Sequence, residues 1–220
     1  MHTSSSTLMA VAAILVASLA LNGILVWRVS AQARTRPAAP RIAPLEKTAW
    51  TDAQREILAP YEQSGRLYNV FTTMAQHPAL AKDWLVFGSY ILSRSTLPPR
   101  DRELLILRIG YLCGSEYEWA QHVRLAKGIG FTDEDVAALA KGPADKHWSP
   151  FEANLVRAAD ELHADSCITD ATWHALAAKY SKEQMMDTVF TVGQYNLVSM
   201  ALNSFGVQLD PGLTGFPASK

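Results

Sequence analysis

The run Leu97-Pro98-Pro99-Arg100-Asp101-Arg102-Glu103-Leu104-Leu105-Ile106-Leu107-Arg108-Ile109-Gly110-Tyr111-Leu112-Cys113-Gly114-Ser115-Glu116-Tyr117-Glu118-Trp119-Ala120-Gln121-His122 decides how this chain folds. Its prolines stop whatever precedes them and present Pro99 at a helix start, where a missing N–H costs nothing. From Arg100 to Leu112 the apolar residues Leu104, Leu105, Ile106, Leu107, Ile109 and Leu112 cover nearly every side, which predicts a buried, central helix. Beyond Gly114 a second helix is expected over Ser115 to Lys127, closed by Gly128 and Gly130. Along it Ser115, Trp119, His122 and Ala126 recur at spacings of 4, 3 and 4, so they share one stripe. Trp119 and Ala126 make that stripe the inward one.

The flanking sequence repeats the helical signal and shows no strand alternation. Upstream, Thr51 caps a helix running toward Tyr61, Ser64-Gly65 separates it from a second over Leu67 to Gln76, and His77-Pro78 opens a third. On that third helix Leu80, Trp84, Phe87 and Ile91 are expected on one buried face. Downstream, Thr132 caps a short helix through Ala140, Ser149-Pro150 opens one through Leu162, and Thr169-Asp170 starts another through Tyr180. Ser181-x-x-Gln184 is a capping box for the last long helix, which ends near Gly206. The fold class is therefore all-α, a single helical domain over 46–206 with an irregular tail over 207–220. A linker over 32–45, containing Pro37, Pro40 and Pro44, is expected to be extended and mobile.

The 220 residues carry 20 basic and 21 acidic side chains, a net charge of −1, which excludes a general basic surface for nucleic acid. Two cysteines, Cys113 and Cys167, exclude a disulfide framework, a four-thiolate zinc site and an iron–sulfur cluster. They pair only if the domain is exported, and are otherwise read as small buried hydrophobes. At the N-terminus, residues 8–27 hold 17 apolar residues of 20, and no Lys, Arg, Asp or Glu occurs in residues 1–27. At about 1.5 Å per residue such a helix crosses a hydrocarbon core. The favoured reading is a retained single-pass anchor, flanked by Arg28, Arg34, Arg36 and Arg41. The alternative is a signal peptide over 1–31 cleaved after Val29-Ser30-Ala31, releasing a periplasmic or secreted domain.

For chemistry, the residues point to Glu103, Glu118 and His122. Glu118 lies one turn before His122, where a carboxylate raises an imidazole's proton affinity and fixes its tautomer. Glu103 sits near the start of an otherwise apolar helix. Two carboxylates and a histidine meeting in an apolar pocket suit general acid–base work. The plainer alternatives are a core histidine, a surface helical pair and a carboxylate favoured by the helix dipole. Asp160, Glu161, His163 and Asp165 offer metal-type ligands but point in several directions, and are read as a solvated helix end. Glu118 and His122 lack a third ligand, so neither metal nor cofactor is expected.

Leu97-Pro-Pro-Arg-x-Arg-Glu-Leu-x-Ile-Leu-Arg108 followed by Glu116-Tyr-Glu-Trp-x-x-His122 resembles the carboxymuconolactone decarboxylase-like family, also called AhpD-like. So do Ala158-Ala-Asp-Glu-Leu-His163 and Thr169-x-x-x-Trp173. The resemblance runs from about Ala43 to Gly206. It implies an all-helical, oligomeric protein, a trimer or hexamer, with sites near subunit contacts and a small-molecule substrate. One branch of that family uses a Glu, a Cys-x-x-Cys pair and a His four residues later. Here those positions fall on Glu103, Ser115, Glu118 and His122, so both thiols are absent, and Cys113 has no partner at that spacing. The decarboxylase branch needs no thiol. It implies loss of CO2 from a small cyclic lactone acid, with His122 and Glu118 delivering a proton, Glu103 tuning them and Ser115 orienting substrate. Arg108 is the candidate for the substrate carboxylate, with a structural salt bridge as its alternative, and Tyr117 and Trp119 are candidate substrate contacts. Two other readings stand beside this one. The first is a peroxidase-related protein using Cys113; the second is a non-catalytic, membrane-tethered, oligomeric ligand-binding module.

Overall fold

The computed structural model describes residues 36–217, and every described element is helical. A 3₁₀ turn at Lys47–Ala49 leads into α1 (Asp52–Gln63), α2 (Asn69–Met74), α3 (Pro78–Ser93), α4 (Pro99–Leu112) and α5 (Glu116–Gly128). Then follow α6 (Asp133–Lys141), α7 (Pro150–Asp165), α8 (Asp170–Ala177) and α9 (Lys182–Phe205). The starts are where side-chain chemistry puts them. Thr51, Thr132, Ser149 and Ser181 each accept from the backbone three residues on, and the residue there reaches back to close a capping box. Pro99 occupies the first turn of α4.

Helix α4 is the axis. Glu103 through Gly110 are buried without interruption, and α4 packs against α5, α6, α7 and α9. Five of its aliphatic side chains, Leu104, Leu105, Ile106, Leu107 and Ile109, are fully enclosed, each contributing about 2 kcal/mol of transfer free energy. That burial leaves the polar members of α4, Glu103 and Arg108, no route to water except through partners.

Four expectations change. On α3, Ile91 is buried and Tyr90 and Trp84 pack against buried clusters, but Leu80 and Phe87 are 50% and 38% exposed, so the apolar face is covered only in part. α2 and α8 are shorter than their apolar patterns suggest. The stretch 37–45 is irregular but not a loose tether. The amides of Arg41 and Ile42 donate to the carbonyl of Phe205, and the amide of Leu45 donates to that of Thr72. Gly206, with φ +69°, passes so close that a Cβ there would stand 2.8 Å from the Ala39 carbonyl oxygen. The tail after α9 is irregular yet packed, with Asp210 buried and Phe216 against Tyr111 and Trp119. The anchor or signal peptide expected in residues 1–31 lies outside the described residues. Among those described, no helix is long and apolar enough to cross a membrane.

Candidate active site

The turn between α4 and α5 creates the site. Gly114 takes φ +59°, the amide of Ser115 donates back to the Gly110 carbonyl at 2.9 Å, and α5 leaves folded against the helix it came from. This brings Glu103, one turn into α4, onto His122, two turns into α5. His122 Nδ1 lies 2.7 Å from Glu103 Oε2, and its Nε2 lies 3.0 Å from Glu118 Oε1. All three side chains are buried. Both ring nitrogens thus face carboxylates.

The electrostatics follow from that geometry. Burial alone would lower the proton affinity of His122, but the charges of Glu103 and Glu118 and their hydrogen bonds outweigh it and push its pKa up to about 10. At neutral pH the ring is an imidazolium offering one N–H to each carboxylate. Tyr195 from α9 sets its ring edge-on against His122, with centroids 4.9 Å apart and planes at 82°. Burial, then the charges of Glu118 and Glu103, hold the Tyr195 phenol well above its ordinary pKa. Sequence reasoning missed Tyr195. It stands 73 positions from His122, on a distant helix whose buried face mixes Thr188, Thr191 and Ser199 with Val192, Val198 and Leu202.

On the three helices that supply these residues, the buried atoms Ser115 Oγ, Arg102 Nε, Thr191 Oγ1 and Ser199 Oγ make no hydrogen bond with any described residue. Arg102 Nε lies 3.6 Å from Glu103 Oε1, an ion pair beyond hydrogen-bond distance. Ser115 is fully buried at the N-cap of α5 without capping it, as the inward stripe predicts. Buried hydroxyls are ordinarily satisfied, so these are exceptions within the described structure.

The remaining expected residues do other work. Arg108 is engaged by the protein itself. Its Nε and Nη2 grip Asp160 at 2.5 and 3.0 Å, and its Nη1 donates to the carbonyls of Leu139 and Ala140 at 2.7 and 3.3 Å. It ties α4 to α6 and α7, which is the salt-bridge alternative. Tyr117 donates to Asp210 at 2.5 Å and accepts from Gln121 and from the amide of Val70, so its hydroxyl is committed to holding the tail. Trp119 is 2% exposed and packs on Tyr111 and Phe216. Both are packing residues.

Cys113, the C-cap of α4, donates from Sγ to Asn196 Oδ1 at 3.0 Å and lies 3.9 Å from His163 Nδ1. Cys167 is exposed and neither cysteine is in a disulfide, so the picture of two buried hydrophobes holds for Cys113 alone. In the acidic turn of α7, Asp160 serves Arg108, while Glu161 accepts from Thr169 and Thr172 and fastens the start of α8. The carboxylates of the relay address the imidazole rather than a common point, and among the described residues no cluster is arranged to hold a metal ion.

Residues 78–161, from the start of α3 into the last turns of α7, match the Carboxymuconolactone decarboxylase family. Over that stretch the chain is similar to carboxymuconolactone decarboxylase proteins. The matched stretch contains Glu103, Ser115, Glu118 and His122 and ends before Tyr195 and Asn196. Solved structures agree on the fold. An AhpD-core, uncharacterized peroxidase-related protein from Ralstonia eutropha superposes with a TM-score of 0.69 at 18% identity, over 80% of this chain and 95% of that one. A debrominase in complex with 2,3,4-tribromopyrrole gives 0.66 at 14% identity, over 79% and 94%. A protein of unknown function from Agrobacterium tumefaciens, described as a putative antioxidant defence protein AhpD, gives 0.57 at 18%, over 62% and 94%. No curated protein matches the chain.

Proposed function

We propose that this carboxymuconolactone decarboxylase-like domain is an acid–base enzyme acting on a small lactone or carboxylic acid, with Glu103, His122 and Glu118 as its proton relay. The observation that carries this reading is the buried imidazole ring held between two carboxyl groups. Loss of CO2 from a lactone acid sends an electron pair into the conjugated carbonyl, and the carbon left behind must gain a proton. His122 stores that proton. Since both its nitrogens are engaged, the proton leaves through a carboxylate. The second oxygen of Glu118 takes no hydrogen bond from any described residue, so Glu118 is the outlet and Glu103 the group that refills the ring. Ser115 and Arg102 offer the orphaned donors that would orient substrate oxygens. The test is CO2 release from a panel of small lactone acids by the purified protein. Activity is expected in the wild type and lost in His122→Gln, and full turnover in that variant sinks the assignment.

The peroxidase-related and debrominase descriptions belong to those neighbours. Here Ser115 and Glu118 stand at the paired-thiol positions.

The chain is also proposed to assemble with copies of itself. Met186, Phe190, Leu197 and Met200 form an exposed apolar stripe along α9, each at least 53% exposed, and Phe87 of α3 meets Phe190 edge-on at 6.1 Å. Such a stripe, at successive intervals of 4, 7 and 3 residues, is the seam another helix covers. Light scattering should show an oligomer that Leu197→Glu dissociates. The segment over 8–27 is proposed as a membrane anchor, tested by whether the full chain sediments with membranes at high salt.

A further inference from the structure

Apart from the relay, the corner where α4, α7 and α9 meet holds a second group of reactive side chains. Cys113 contributes a thiol at the end of α4, His163 an imidazole from the last turns of α7, and Asn196 an amide from α9. Asn203, two turns further along α9, donates to the Cys113 carbonyl at 3.1 Å, so the thiol is held from both its backbone and its side chain. Cys113 is only 8% exposed, but His163 and Asn196 are partly exposed and form its solvent-side border. The thiol therefore sits at the edge of the apolar core, with an imidazole and an amide against its sulfur.

We propose that Cys113, His163 and Asn196 form a second reactive centre that captures small α,β-unsaturated carbonyl compounds by conjugate addition. The three groups supply what that reaction needs. His163 accepts the thiol proton, because the thiolate is the nucleophile. The Cys113 sulfur bonds to the β-carbon as the C=C π pair shifts onto the carbonyl oxygen. The Asn196 amide, turned to present its N–H, hydrogen-bonds that oxygen. The imidazolium of His163 then returns its proton to the α-carbon. One S–C bond forms, one π bond is lost, the proton is conserved and no oxidant is consumed. The slight exposure of Cys113 limits the substrate to a compact one. This centre does not depend on the decarboxylase reading of the relay.

Cys167 provides an internal control, since it is exposed and among the described residues donates only to the carbonyl of Ile168, at 3.5 Å. The full chain is treated with N-ethylmaleimide at pH 7 and the adduct at each cysteine is timed by mass spectrometry, natively and in urea. In the native protein Cys113 should react faster than Cys167 despite its burial, and urea should abolish the difference. His163→Gln should slow Cys113 about tenfold and leave Cys167 unchanged. Asn196→Ala should slow maleimide addition more than iodoacetamide alkylation, because only the former places charge on an oxygen. A Cys113 that labels only after unfolding, or no faster than Cys167 natively, overturns the proposal without reference to any variant. Equal labelling of Cys113 in wild type and His163→Gln overturns it too, as does an equal effect of Asn196→Ala on both reagents.

Discussion

Helix α4 carries two buried charges five residues apart, and their surroundings differ in kind. Arg108 is saturated. Both oxygens of Asp160 and two backbone carbonyls absorb its donors, and one cation meets one anion. At Glu103 the accounts do not balance in the same way. Two carboxylates share one imidazole, Arg102 stands just too far to hydrogen-bond, and the buried hydroxyls of Ser115 and Thr191 find no partner among the described residues. A satisfied buried charge is a fastener. An unsatisfied one keeps the capacity to move a proton, and stability is given up to keep it.

The sharpest way to break this contrast is to exchange each charge in turn. His122→Gln should cut turnover by at least about 100-fold while the domain stays folded, as loss of a general acid does. Steady-state CO2 release read beside a circular dichroism melt decides it. Arg108→Met should do the opposite. It strands Asp160 and two carbonyls, costing about 3 kcal/mol in denaturant unfolding, with turnover per folded molecule nearly intact. A large kcat effect from Arg108→Met would erase the distinction.

Acidity sharpens it further. The pKa of His122 rises on folding from 6.5 to about 10, so its contribution to stability is complete below pH 6.5 and is lost as pH climbs through 10. The stability gap between wild type and His122→Gln should therefore be widest near pH 6 and shrink steadily toward pH 10. A gap that widens with pH would mean the ring is neutral in the fold. The smallest effect concerns the fastener. Gly142 has φ +96°, and a Cβ there would stand 2.8 Å from Arg108 Nη2. Gly142→Ala should cost about 1–2 kcal/mol in chemical denaturation, from backbone strain and a displaced guanidinium.

Much of this was legible in the sequence wherever the cause was local. The caps at Thr51, Thr132, Ser149 and Ser181 are short-range hydrogen bonds, so their helices begin where the pattern puts them. The Glu118–His122 pair is one helical turn. The approach of Glu103 crosses only the Gly114 turn and was in reach of a family resemblance. Longer links were not. Nothing in the local pattern tells Arg108 that Asp160 lies beside it, or sets Tyr195 against His122, or brings His163 and Asn196 to Cys113. Leu80 and Phe87 misled for a related reason. Periodicity shows that a helix has an apolar face but not whether this chain or another one covers it.

The unbroken burial of Glu103 through Gly110 has a consequence for how anything reaches the relay. Amides of a helix so enclosed exchange with solvent only when the whole domain opens, so α4 is the still point of the molecule. A ligand has to be admitted by its neighbours: by the first turn of α5, or by α9 shifting with Tyr195. Deuterium uptake should be slowest along α4 and should change, when a ligand binds, at the walls rather than at the axis.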